Sequence, residues 1–158
     1  MQRGKSDSTT RRSELATIVG DVLGDLAFLV GGDRPPVPAS GAAWMECRIA
    51  YSGPVGGTLH CWCTRDFALQ LAANLLGLSP DNPAVLSGID DALGEFMNVV
   101  CGQFVTACHG TDRVFNLSIP TPGPGLPPPQ ISFDGRETAC ALSVSGEPFY
   151  CKCEPERE

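Results

Sequence analysis

Apolar residues recur along this chain with two different periods, and the switches between them lay out its elements. Leu15, Ile18, Val19, Val22, Leu23, Leu26, Leu29 and Val30 follow a helical stripe. Ser13 is placed to cap that helix and Gly31-Gly32 to stop it. A loop of prolines and small residues runs from Asp33 to Gly41. Ala43 to Tyr51 and Gly57 to Thr64 then read as strands joined through Ser52-Gly53-Pro54, so a hairpin is expected. Along the second strand Thr58, His60 and Trp62 face away from Leu59, Cys61 and Cys63.

Thr64 is a good cap for a helix over Arg65 to Leu76, which Gly77 closes. Its apolar set of Phe67, Leu69, Leu71, Ala72, Leu75 and Leu76 covers a wide face, so most of it should be buried. Ser79 to Pro83 is a connection, and a long helix runs from about Asp90 to His109. Val114 to Ile119 follows as a strand. The proline-rich run from Pro120 to Pro129 is expected to be a surface loop, since proline fits neither a helix interior nor a central strand. Gln130 to Phe133, Thr138 to Val144 and Pro148 to Lys152 complete the strands, with Ser145-Gly146 as a tight turn. Helices and strands are segregated in this order. That predicts an α+β fold, with long helices on a largely antiparallel or mixed sheet of about six strands.

The 158 residues suit a single domain over 13–153, between a disordered basic segment at 1–12 and a charged tail at 154–158. Eighteen acidic against eleven basic residues give a formal charge of −7. That balance disfavours nucleic acid and anionic membrane surfaces as partners. Glu14, Asp21 and Asp25 interrupt the first apolar stretch, which falls short of the ~20 apolar residues a membrane span needs. A cytoplasmic protein is expected. Eight cysteines include the pairs Cys61/Cys63 and Cys151/Cys153, each on one face of a strand. With no secretory signal, these read as reduced core residues. The one-residue spacing is too short for a typical zinc site, so no metal is expected.

Candidate chemistry concentrates on the third predicted helix. At about 100° per residue, Asp91, Glu95, Asn98 and Gly102 share a stripe roughly 60° wide. Ile89, Leu93, Met97, Val100, Cys101 and Phe104 lie opposite, toward the core. Gly88, Gly94, Val99 and Val105 border the stripe, so no long side chain obstructs it. Two glycines inside a helix cost about 1 kcal/mol each relative to alanine, a cost that close approach by another surface would explain. A solvated face on any amphipathic helix also carries acidic residues and asparagine, so the stripe alone is weak.

The segment Asp91-Ala92-Leu93-Gly94-Glu95-Phe96-Met97-Asn98-Val99-Val100-Cys101-Gly102 resembles the active-site helix of the CheC/CheX/FliY family of chemotaxis phosphatases. That family's signature is Asp/Ser-x-x-x-Glu-x-x-Asn with a proline some twenty residues later, to which Pro120 or Pro122 answers. Gly57-Thr58-Leu59, then Phe67 to Ala72 and Leu75-Leu76-Gly77, is similar to the family's strand-then-helix segment. The first helix reads Asp21-Val22-Leu23-Gly24-Asp25 with no asparagine in register. One site per chain is therefore expected, as in CheX rather than CheC.

The resemblance implies a CheC-like fold and dephosphorylation of the phosphoaspartate of a CheY-like receiver domain. A carboxamide can accept from a water and donate to a phosphoryl oxygen, which suits Asn98 to positioning the attacking water. Glu95, repelled by phosphate, suits pairing with the receiver's lysine, and Asp91 and Gly102 suit docking beside it. Mg2+ is expected on the receiver, because this helix offers too few oxygen ligands. The partly positive imidazole of His109 suits the helix C-terminus better than a role as acid or base. CheX-like proteins suggest a homodimer. Two other classes stay open: a non-catalytic adaptor binding a phosphorylated regulator or a flagellar switch component, and a ligand or metal sensor using the cysteines.

Overall fold

The computed structural model describes residues 3–27, 29, 41–128, 138–144 and 146–156, with side chains from Glu14 onward. Helix α1 spans Arg3–Ala27. It starts well before Ser13, so residues 3–12, expected to be disordered, are helical. No proline or glycine interrupts 5–12, and adding turns to an existing helix is cheap where nucleating one is not. The Gly31-Gly32 stop and most of the Asp33–Gly41 loop lie outside the described residues, as do Gln130–Phe133 and Ser145.

Strands β1 (Trp44–Ser52) and β2 (Gly57–Thr64) form the expected hairpin, with Cys47 opposite Cys61 and Ile49 opposite Leu59. Helix α2 (Arg65–Leu76) follows directly. The Thr64 hydroxyl accepts from Phe67 N at 3.2 Å and donates to Glu147 at 2.6 Å. Gly77 closes the helix at φ 67°, a left-handed conformation that favours glycine. Asn74 donates to the Ala27 carbonyl at 2.7 Å, satisfying an orphan acceptor at the end of α1. A short helix, α3 (Pro83–Ser87), occupies part of what looked like plain connection, with Asn82 as its cap. Helix α4 (Ile89–His109) is the long central one.

The remaining strands are β3 (Asn116–Leu117), β4 (Thr121–Gly125), β5 (Thr138–Val144) and β6 (Glu147–Pro155). β6 pairs as far as Pro155, so the predicted charged tail begins inside the sheet. All pairings are antiparallel. The order is β5-β6-β2-β1, and β3 and β4 share the outer edge of β1. The fold is α+β with six strands among the described residues, one of them, β4, supplied by the proline run expected to be a loop, while the strand expected at 130–133 lies outside the described residues.

That correction has a clear cause. Pro122 and Pro124 fall opposite Cys47 and Met45, at alternate positions of β4. Hydrogen bonds to β1 then fall to Thr121, Gly123 and Gly125, and the prolines turn their missing N–H outward. An edge strand tolerates this, where a central one could not.

The helices cover one face of the sheet. Phe149 of β6 packs at 5.1 Å from Phe67 of α2 and at 5.6 Å from Phe96 of α4, so three aromatic rings hold the two layers together. Cys47, Cys61, Cys151 and Cys140 lie in register across four neighbouring strands under the helices. Burial raises their thiol pKa values, to about 11 for Cys47 and about 12 for Cys140. On the far face His60 packs against Trp62 with ring centroids 3.8 Å apart and planes tilted by 32°, and both are buried.

Two outcomes follow. Thr64→Ala removes a helix cap and a hydrogen bond to Glu147, and should cost about 1–2 kcal/mol in urea unfolding, with Thr64→Ser recovering most of it. Under native conditions a thiol reagent should modify half-buried Cys108 first, the other seven cysteines reacting only on denaturation, and Cys108→Ala should abolish that fast phase.

Candidate active site

The expected core face of α4 is buried, and Phe96 and Val105 are buried with it. Helical geometry therefore sends Asp91, Glu95 and Asn98 outward, and all three are exposed, as is Asp90 in the first turn of the helix. They line an open cleft of about 360 Å³ together with Gly94, Ser118, Ile119, Pro120 and Pro122. One wall is α4 and the other is the broken edge between β3 and β4.

That edge contains a bulge. Tyr51 pairs with Leu117, while Arg48 pairs with Thr121, so one extra residue has entered the outer strand. Ser118 fixes its position. Its N–H donates to the Ala50 carbonyl at 2.8 Å, and its hydroxyl accepts from Ala50 N at 2.9 Å. The same hydroxyl reaches the Ile119 carbonyl at 3.4 Å. Beyond the bulge, Pro120 and Pro122 close on α4 at Gly94. A Cβ on Gly94 would stand 3.5 Å from Pro120 and 3.7 Å from Pro122. The gap between helix and edge strand at Gly94 is thus wide enough for a methyl group and no more.

Among the described residues, the side chains of Asp90, Asp91, Glu95 and Asn98 make no hydrogen bond or ion pair with protein groups. A partner docking here would displace water alone and break no internal bond. Three carboxylates give the helical wall a negative rim, and the Asn98 carboxamide is its neutral, two-way hydrogen-bonding group. Among the described residues no set of three or more His, Cys, Asp or Glu side chains is arranged to hold a metal ion. No described helix is long and apolar enough to cross a membrane.

The structure brings Asp91, Glu95 and Asn98 together as the helical spacing requires. Gly102 stands apart from them, in an adjoining groove of about 590 Å³ that also touches Asn98 and is floored by Leu117 and Ile18. His109 is not in the cleft. Its ring stacks on Phe115 at 5.2 Å and lies 6.5 Å from Tyr51. Sequence reasoning missed Asp90, Ser118 and Ile119 as lining residues. Asp90 falls about 100° from Asp91 around the helix, on the side of Met97 and Cys101, so the helical period gave no sign of it. Ser118 and Ile119 join the cleft only through pairing with β1, which leaves no local signal.

A family model described as chemotaxis phosphatase CheX matches residues 45–125, just over half of the chain. No curated protein matches by sequence. Among solved structures, a chemotaxis protein CheX from Desulfovibrio desulfuricans aligns at TM-score 0.70 and 18% identity, over 93% of this chain and 99% of that one. A chemotaxis protein CheX from Vibrio vulnificus aligns at 0.68 and 20%, covering 91% and 95%. The CheX of a CheX–CheY–BeF3–Mg2+ complex from Borrelia burgdorferi aligns at 0.63 and 17%, covering 92% and 97%. These likenesses show the shared fold.

The contact at Gly94 makes a specific prediction. Gly94→Ala places a methyl at ordinary contact distance from Pro120 and removes a helix penalty, so stability in urea should hold or rise by up to about 1 kcal/mol. Gly94→Val must push Pro120 and Pro122 away and should lose about 1–3 kcal/mol.

Proposed function

We propose, since this chain belongs to the CheX family of chemotaxis phosphatases, that it hydrolyses the phosphoaspartate of a CheY-like receiver domain in chemotaxis or two-component signalling. The observation that carries this reading is the pairing of Glu95 and Asn98, both exposed and unengaged, in one cleft on one face of a rigid helix. The complex of the Borrelia burgdorferi relative with CheY supports a receiver as partner.

An acyl phosphate is hydrolysed when water attacks phosphorus and the bond from phosphorus to the aspartyl oxygen breaks, releasing inorganic phosphate and a free carboxylate. Asn98 is suited to hold that water, its oxygen accepting from the water and its NH2 donating to a phosphoryl oxygen. Glu95 carries charge of the same sign as phosphate and is suited instead to a lysine of the receiver's own site. Asp91 serves docking at the same rim, and Gly102 leaves room for the partner one turn further on. Mg2+ belongs on the receiver, where phosphoryl charge develops. A homodimer and a cytoplasmic location complete the proposal.

The test is acyl-phosphate decay on purified receiver domains of the source organism. Wild type should shorten the phosphoryl lifetime, and Asn98→Ala should lower kcat about 100-fold or more with binding retained. Glu95→Ala should raise KM roughly 10- to 100-fold, with partial rescue at high receiver concentration. An unchanged lifetime on every receiver sinks the phosphatase reading. Binding without hydrolysis would mark the chain as an adaptor.

A further inference from the structure

Ile119 is 87% exposed, yet it lies on the lip of the cleft that holds Glu95 and Asn98. Exposed isoleucines are common singly and need no explanation by themselves. This one is held in place. Ser118 before it is tied to Ala50 by two hydrogen bonds, at 2.8 and 2.9 Å, and reaches the Ile119 carbonyl. Pro120 after it has a fixed φ and stands on the helix at Gly94. The extra residue of the bulge is what turns this segment out of the ladder, and bulges re-aim side chains next to active sites.

The cleft therefore has two unlike rims. The α4 side carries Asp90, Asp91, Glu95 and Asn98, and the bulge side carries one large apolar side chain, Ile119. An apolar group presented on a braced backbone loses little freedom on binding, which is the condition for an interface anchor. Resting on the phosphatase reading, we infer that Ile119 is a positioning residue for the receiver. It inserts against an apolar side chain that the receiver presents beside its phosphoaspartate, across the phosphoryl group from the cation that meets the acidic rim. A receiver lacking that apolar neighbour would be a poor substrate even with its lysine in place, so Ile119 acts in choosing among receivers.

The experiment compares wild type, Ile119→Ala, Ile119→Val and Asn98→Ala on receivers phosphorylated with a small acyl-phosphate donor, and titrates each against the trifluoroberyllate-activated receivers. Ile119→Ala should raise KM and the dissociation constant roughly tenfold while kcat stays within about twofold. Ile119→Val should recover most of the loss, and thermal stability of the free chain should not move. An unchanged KM in Ile119→Ala, beside an active wild type, overturns the inference and leaves the phosphatase reading standing. If wild type binds activated receivers without hydrolysing them, weaker binding by Ile119→Ala upholds the anchor although catalysis fails. If no activated receiver binds wild type, both ideas fall.

Discussion

Helix α4 approaches the proline strand at the edge of the sheet where Gly94 is turned toward Pro120 and Pro122. The rest of the cleft depends on that approach. On its other side the helix is fixed by Phe96 against Phe149, and by a buried row from Ile89 to Val105. A larger residue than alanine at position 94 would wedge the edge strand away from the helix. The bulge would then lose its support, and the two walls would no longer enclose one volume. The space at this position takes a methyl group at ordinary contact distance and nothing larger.

The elements set by period were legible in the chain. The two faces of α4 follow from 3.6 residues per turn, and the hairpin of β1 and β2 from alternation along β1 and the turn residues between the strands. Asp91, Glu95 and Asn98 emerge together because one rigid element carries all three. What stayed hidden depends on pairing between distant segments. Thr121 to Gly125 has a composition that reads as loop, and becomes a strand only because β1 offers an edge that asks nothing of Pro122 and Pro124. The bulge at Ile119 is a mismatch of one residue between two strands, and neither strand records it alone. Residues 3–12 are polar and show no stripe, so only the helix growing from the apolar segment beyond them accounts for their order.

The division between fixed and free groups follows the same line. Backbone around the cleft is tied at Ala50, Ser118 and Gly94. The carboxylates and the carboxamide that face it are left to water. A side chain already committed to an internal partner would have to be released before it could meet a ligand, at a cost comparable to a hydrogen bond. The cysteines show the opposite arrangement. Cys47, Cys61, Cys151 and Cys140 lie side by side beneath the helices, where desolvation holds them as neutral thiols and they pack as small apolar groups.

The prolines of β4 have a further effect on the outside of the molecule. Their ring nitrogens replace the donors that a neighbouring strand would seek, so this border of the sheet shows carbonyl oxygens and no matching N–H at Pro122 and Pro124. A second chain cannot add itself there. Among the described strands, β5 is the other border, and it holds neither proline nor charge over Thr138–Val144. With one border closed to strand addition, a sheet has no way to propagate by that route. Any pairing of two such sheets edge to edge would have to use the other border of each, and would end as a closed pair instead of a filament.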